Sequence, residues 1–535
     1  MAPEHPQDPP PAPHPRPPPP GLRKIAPYWY PYTTMAKERW LGREILEIVS
    51  TEFRDRSVEY YKYALESGVT TINGVVAKPD TVVRNGDRIE NVVHRHEPPV
   101  AATPVRILHR DEEKGFIVID KPGSIPVHAT GRYFYLSLVE ILQREFAFEK
   151  VYTVNRLDRL TSGLMVVALS SRTAAALARE FVEGRVGKEY VARCAGEFPE
   201  GETVVDQPLL TVDRQMGLNI VHPDGKPART VFTRLRYDRG TNSSILHCRP
   251  LTGRSHQIRV HLQYLGFPIA NDPIYSETKI WGPKLGKGGI DVTPSAERAP
   301  PAPPPELAGS TAEGAAAAGA GVSTVGEDVK GGDGATGSSD AKGRDTATEG
   351  ERETSRLLPR ETGHDIGMGS PVPLSAEAVG VITRLRNMKD EDEDWSRWRD
   401  VVFKAKGRLV PHGLAPRPLP PQNRRRRGGH GFVGVAPGPR EVKVGVGPDP
   451  SGRASPPPPV AVAEENDGLL YCPECYLPLH PDPAPEKLYI FLHALRYTTG
   501  LGTFETEMPE WTREGFVWSG APCRSAQGEV GEVQY

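Results

Sequence analysis

Between Val154 and Ser170 the chain reads VNRLDRLTSGLMVVALS. One carboxylate, Asp158, stands between Arg156 and Arg159, ahead of a Thr-Ser-Gly turn and an apolar run. A carboxylate kept ionised between cations can attack an electrophilic carbon or take up a proton. Spacing alone fits a surface loop equally well, its ion pairs exposed and contributing little. Further on, "RPLTGRSHQIRVHLQYLG" carries Arg254 and Arg259, the latter one helical turn after Ser255. Either arginine could partner a buried carboxylate or contact phosphate. "CPEC", from Cys472 to Cys475, is half of a zinc site. His480 and His493 are its possible further ligands, but their spacing fits no standard pattern, and two cysteines without a metal is the simpler reading. The run Arg424 to Arg427 is a solvated tract or a weak nuclear-targeting or RNA-contact signal.

The elements that must position these residues can be read from apolar spacing. "REILEIVSTEF" is helical by Ile45, Ile48 and Phe53. "ALESGVTTINGVVAKPDTVVRNGDRI" reads as a helix end, two strands around an Asn73-Gly74 turn, and a further turn at Asn85-Gly86. "GFIVIDKP" and "GLMVVALS" are short buried strands, and "KEYVARCAG", "ARTVFTRLRY" and "SSILHCRP" are strands as well. "SLVEILQREF", "TAAALAREFVEG" and "SHQIRVHLQYLG" are helices, the second closed by Gly184, the third capped by Ser255 and stopped by Gly266. "LYIFLHALRY", with Leu488, Ile490, Leu492 and Leu495, is a core strand and its sequel.

Composition sets the limits of the folded part. The chain has 54 Gly and 56 Pro, about a fifth of its 535 residues, against an average near 12%. The expected layout is a disordered Pro-rich arm over 1–22, an N-terminal unit over 23–100 and a core over 101–285. A disordered low-complexity insertion follows over 286–465, then a C-terminal part of the core over 466–512 and a tail over 513–535. One island, residues 378–407, reads as a short helix, and the insertion as a whole is expected to be dispensable for folding. A net charge of −2 leaves only a local patch for any polyanion. Five cysteines do not make a secreted disulfide scaffold, and no apolar run approaches the roughly 18 residues of a membrane span. The N-terminus carries early acids, Glu4 and Asp8, against an acid-poor transit peptide. A cytoplasmic seat is expected, with nucleus or mitochondrion as alternatives.

Four motifs in order, "IVIDKPGSIPVHATG", "VNRLDRLTSGLMVVALS", "KEYVARCAG" and "RPLTGRSHQIRVHLQYLGFPIANDPIYS", resemble those of the RluA-type pseudouridine synthases. "PYWYPYTTMAKERWLGREILEIVSTEFRDR", "VHRHEPPV" and "LYCPECYLPLHPDP" resemble the eukaryotic branch that acts on tRNA. The resemblance covers about 25–285 and 468–512. It implies an α+β fold, a mixed and mainly antiparallel sheet with flanking helices. It also implies a small αL-type RNA-binding module over 42–93, with Lys78, Arg84 and Arg88 on a basic edge. The implied reaction isomerises uridine to pseudouridine in RNA, most plausibly in a tRNA anticodon stem-loop. That reaction gains no atoms and moves no electrons out, so it requires no redox cofactor or ATP. The resemblance makes Asp158 the nucleophile, Arg259 its ionic partner and Tyr190 the ring that stacks on the flipped base. Arg156, Arg159, Arg254, Lys121 and His128 are expected as RNA contacts. The family commonly has His where this chain has Asn155, which leaves the local packing or RNA contact there open.

Three other readings compete with this one. A non-catalytic RNA-binding protein with the same fold would not require Asp158, Tyr190 and Arg259 together. A zinc nucleobase deaminase needs an H-x-E pair followed by P-C-x-x-C, and neither is present. A scaffold working through the Pro-rich parts could coexist with an enzyme.

Overall fold

The computed structural model describes residues 21–52, 58–214, 216–295, 366, 370–392, 472, 479 and 482–518. Its first unit comprises β1 (Leu22–Arg23), β2 (Tyr28–Met35), α1 (Ile45–Glu52), α2 (Val58–Glu66), β3 (Thr70–Ile72), β4 (Val75–Val76) and β5 (Arg88–Arg95). Strands β2, β5, β3 and β4 form an antiparallel sheet in that order. Asn73 and Gly74 take φ of 55° and 78° between β3 and β4, the two left-handed positions a tight hairpin with native twist requires. Ile45, Ile48 and Val49 fall on one helix face by their three- and four-residue spacing. They join Trp40, Tyr61, Leu65, Ile72, Val83 and Ile89 in a small core of their own. Lys78, Arg84 and Arg88 are exposed, and Arg88 is ion-paired with Glu90.

The main body follows: β6 (Val100–Ala101), β7 (Arg106–Asp111), β8 (Phe116–Lys121), α3 (Leu138–Glu145), β9 (Tyr152–Thr153), β10 (Ser162–Ala168), α4 (Ser171–Val182) and β11 (Gly187–Ala195). Next come β12 (Glu202–Asp206), β13 (Leu209–Asp213), β14 (Leu218–Val221), β15 (Arg229–Asp238), β16 (Ser243–Pro250), α5 (Gln257–Leu265) and α6 (Thr278–Trp281). The last are α7 (Ala376–Asp392), β17 (Leu492–Thr499) and β18 (Gly502–Glu505). One sheet runs β12-β15-β16-β11-β17-β10-β8-β7. Its neighbours are antiparallel except β10 and β17, which are parallel. The fold is α+β, with the mixed, mainly antiparallel sheet the sequence implies. Phe116–Ile119 and Leu164–Ala168 are fully buried, which is why both read as continuous apolar runs rather than as alternating strands.

Strand β17 comes after the insertion yet lies in the middle of the sheet. Its seat depends on Gly163, whose φ is 112°: a Cβ at this position would collide with the Ala494 backbone. The glycine of the Thr-Ser-Gly turn thus lets two chain-distant strands close on each other. Asn271 pins the same segment, donating from Nδ2 to the Tyr489 carbonyl at 3.0 Å and accepting from the Phe491 N–H at 2.7 Å.

Within the stretch 286–465 the described residues are 286–295, 366 and 370–392, and these are ordered. Within it, α7 places Ala378, Val381, Ile382 and Leu385 on one face. They are buried against Leu210, Val212, Leu218, Ile220, Tyr275 and Trp281. Arg386 donates from Nε and Nη2 to Asp213 at 2.9 and 2.7 Å, and Arg384 donates to the Ile280 carbonyl at 2.7 Å. The part of the expected island up to Asp392 is helical and completes a second apolar core, whereas 393–407 lie outside the described residues. Flanking Gly-, Ser- and charge-rich sequence hid a clean helical period. The Pro-rich arm, the run 424–427 and the tail beyond 518 lie outside the described residues. Among the described residues no helix is long and apolar enough to cross a membrane.

Candidate active site

Asp158 sits on the loop between β9 and β10. Buried Leu157 and Leu160 anchor that loop on either side of it. The Leu160 carbonyl accepts from the Ile490 N–H at 3.1 Å, joining the loop to the segment before β17. Beneath it lies Lys121, wholly buried. Its Nζ donates to the carbonyls of Pro122 and Ile125 at 2.9 Å each and of Arg159 at 3.4 Å. This lysine therefore ties the first motif to the nucleophile loop from inside, and the expectation that it contacts RNA is corrected: it has no surface to offer. Burial pulls its pKa down to about 7, with the Asp158 charge opposing.

Arg259 enters from α5. The helix starts at Gln257 and its N-cap is His256, in the left-handed region at φ 56°, with no side-chain cap bond. Ser255 is therefore not the cap. Gly266 ends the helix at φ 86°, as its sequence position implies. One turn in, Arg259 is 3% exposed. Its Nε and Nη2 make a two-pronged bond to the Asp272 carboxylate at 2.6 and 2.9 Å, leaving Nη1 for Asp158 Oδ2 at 3.1 Å. Asp272 is itself held by the N–H groups of Ile274 and Tyr275 at 2.9 and 3.0 Å. The planar guanidinium is thus fixed before any ligand arrives.

The charge state of Asp158 follows from this frame. Burial pushes its carboxyl up, but His256, Arg259 and Arg156 together hold it below the usual carboxylate range. Burial also pulls His256 down to about 4, so at neutral pH the standing positive charges against Asp158 are those of Arg259 and Arg156. His256 Nε2 lies 3.6 Å from Asp158 Oδ2. Its Nδ1 is 2.9 Å from the Tyr275 hydroxyl, which already accepts from the Asn219 N–H at 3.1 Å. The neutral imidazole is thus seated between the Tyr275 hydroxyl and the Asp158 carboxylate. Asp158 keeps 23% of its side chain exposed, against 4% for Arg259 and none for Asp272. The open face of the cluster is the carboxylate.

Tyr190 is 9% exposed on β11. Its hydroxyl is 2.7 Å from that of Tyr497 on β17, which accepts from Asn155 Nδ2 at 3.4 Å. Asn155 therefore serves in packing this tyrosine pair. Arg156, Arg159, Arg254 and His128 are exposed. Arg159 lies over the Tyr133 ring at 5.7 Å, His128 contacts Thr153 Oγ1 at 2.6 Å, and Arg254 donates to the Pro227 carbonyl at 2.9 Å, apart from Asp158. His493 is no free ligand: it sits in β17 between Ser162 Oγ at 2.9 Å and Thr506 Oγ1 at 2.7 Å. Cys475 and His480 lie outside the described residues.

Sequence reading missed Asp272, His256, Tyr275 and Tyr497. The first three lie inside the quoted fourth motif, where an acid 13 residues after Arg259 could have been tested as its second partner. Tyr497 carried no such signal, because more than three hundred residues separate it from Tyr190.

A family model described as RNA pseudouridylate synthase matches residues 115–264, which hold Asp158, Tyr190 and Arg259. The chain is 50% identical over 272 residues to the tRNA pseudouridine(32) synthase, mitochondrial, of Saccharomyces cerevisiae, covering 50% of this chain and 58% of that one. It is 44% identical over 270 residues to human Pseudouridylate synthase RPUSD2, covering 50% and 49%. It is 32% identical over 298 residues to the yeast tRNA pseudouridine(31) synthase, covering 48% and 72%. The chain thus spans about half the length of the first two relatives and nearly three quarters of the third. On the match to that third relative and to the family model, the chain belongs to the RNA pseudouridylate synthase family, in keeping with its resemblance to the RluA-type enzymes.

Proposed function

We propose that this protein isomerises uridine to pseudouridine in RNA, with Asp158 as nucleophile. The observation that carries the reading is a carboxylate held ionised by an arginine whose remaining nitrogens are locked on Asp272, with only the carboxylate facing out. In the reaction the C1′–N1 bond breaks, the detached base turns over, and a C1′–C5 bond forms. C5 loses its proton and N1 gains one, so the formula is unchanged. A carboxylate can bond to the sugar or the base, or take the proton, while the base is detached. Arg259 stabilises it as an anion without being consumed, and the Tyr190 ring supplies an apolar surface for the extruded uracil. Exposed Arg156, Arg159 and Arg254 fit a role on flanking phosphates.

The substrate we infer is tRNA, at a uridine of the anticodon stem-loop. The names of two relatives support it, since both are tRNA pseudouridine synthases. Cytoplasmic tRNA is the first pool to test and mitochondrial tRNA the second, as one of those relatives is named mitochondrial. The experiment is tritium release from tRNA carrying [5-³H]uridine, run beside chemical mapping of pseudouridine in cells lacking the protein. Release to water with loss of one mapped site supports the proposal. Release from no RNA pool, by protein that binds tRNA, overturns it.

A further inference from the structure

His94, His96 and Cys472 come together although 378 residues separate the first from the last. Alternate residues of an extended strand point to the same face, and so His94, in β5, and His96, just past its end, converge. His96 Nε2 lies 3.1 Å from His94 Nδ1. Cys472 Sγ lies 3.6 Å from the same His94 Nδ1, and all three ligand atoms fall within 4.8 Å of one another. His94 and Cys472 are buried, 6% and 3% exposed, and Cys472 is in no disulfide. The Trp29 ring packs on His94 at 4.6 Å, which fixes the imidazole and keeps one side of the cluster dry.

These separations suit a metal better than hydrogen bonding alone. A tetrahedral Zn²⁺ with Zn–N about 2.05 Å and Zn–S about 2.3 Å puts two nitrogens about 3.3 Å apart and a nitrogen and a sulfur about 3.6 Å apart. A thiolate with two imidazoles is the donor set of borderline-soft ions, zinc first, rather than of calcium or magnesium. We propose that His94, His96 and Cys472 bind one Zn²⁺ that staples the N-terminal sheet to the segment entering β17. The two histidines come from the H-x-H of "VHRHEPPV", a spacing that the sequence itself displays. The cluster shares no residue with the group around Asp158.

The test uses the full chain purified without affinity histidines. Elemental analysis of the protein as isolated is expected to give one zinc per chain. After removal by a chelator, Co²⁺ added alone should give a thiolate-to-cobalt charge-transfer band, and stoichiometric Zn²⁺ should abolish it. That measurement needs no variant. Cys472→Ser should lose the band and His94→Asn with His96→Asn should weaken Co²⁺ affinity at least tenfold, while Asp158→Asn loads as the wild type does. Wild-type protein that holds no zinc and gives no such band overturns the proposal, as does Cys472→Ser that keeps the full band.

Discussion

Arg259 and Arg386 are both buried against an aspartate, and their surroundings differ in one respect. Arg386 and Asp213 are closed in, with 6% and 2% of their side chains exposed, between α7 and β13. Arg259 and Asp272 are closed in as well, at 4% and 0%, but Arg259 spends only two of its three nitrogens there. The third reaches Asp158, which faces solvent. A buried pair satisfied on all sides does no more than define packing. In the proposed function, adding one partly open carboxylate to the same kind of pair supplies the reactive anion, because the desolvated cation is already held in place. The two regions therefore separate what burial of charge does for the fold from what it does for chemistry.

The sharpest way to break that contrast is Asp158→Asn. The amide keeps the shape and loses the nucleophile, so turnover on tRNA should fall by at least about three orders of magnitude, with the melting temperature and tRNA affinity nearly unchanged. A variant that retains a tenth of wild-type turnover would remove Asp158 from the chemistry.

Arg386→Met and Arg259→Leu come next. Each strands a buried aspartate and should cost about 3–5 kcal/mol in urea unfolding. Arg386→Met should leave turnover per folded molecule intact, whereas Arg259→Leu should lose turnover too. Equal losses of activity in both would erase the distinction. α7 enters here as well. Ser295 and Leu374 meet through a backbone bond of 3.5 Å, so a short linker replacing residues 297–365 should leave the melting temperature unchanged. Extending the deletion through Asp392 should lower it sharply, since it uncovers Trp281, Ile280 and Asp213.

How much of this was legible in the sequence depends on distance along the chain. Elements with a local signature were readable: the run Phe116–Lys121, the Asn73-Gly74 hairpin and the Gly266 stop each rest on neighbouring residues. The pairing of Asp158 with Arg259 was reached through motif resemblance, not through spacing. Partnerships that cross the insertion or reach into it were not readable, because nothing local in Asn155 or Tyr190 refers to Tyr497 and nothing in Asp213 refers to Arg386. Lys121 misled for a related reason: a lysine at a strand end beside a Pro-Gly turn suggests phosphate, whereas three inward carbonyls dictate burial.

A smaller effect is expected in the pH dependence of stability. His256 is buried neutral, its pKa pulled down by burial to about 4 from the usual 6.5. As pH falls from about 6.5 to 4, the unfolded chain takes up a proton that the folded site refuses. Stability present above pH 6.5 is therefore lost through that window, by up to about 1.4 kcal/mol per pH unit for each such histidine. His493, also drawn down to about 4 by burial in the sheet, acts in the same direction. His256→Gln should flatten the acid limb of the stability curve by about one proton, and His493→Gln by about one more. Urea unfolding across pH 4 to 7 measures both, and an unchanged slope in His256→Gln would mean that the imidazole beside Asp158 is charged in the folded state.

Smallest of all should be Tyr497→Phe, and it probes how the late strand serves the site. Tyr497 has no contact with Asp158; its hydroxyl sits between those of Tyr190 and the Asn155 amide. Removing it takes a partner from a buried hydroxyl and a buried amide, at about 1–3 kcal/mol. Part of that is recoverable, since the 3.4 Å bond from Asn155 is long. If Tyr190 acts by its ring, the stacking surface remains and turnover at saturating tRNA should fall by no more than about fivefold, with the loss larger for Tyr190→Leu, which removes the ring. If the hydroxyl pair itself takes part in proton movement, Tyr497→Phe and Tyr190→Phe should both fall much further and alike. Steady-state turnover of these three variants decides between a surface that holds the base and a hydroxyl that acts on it.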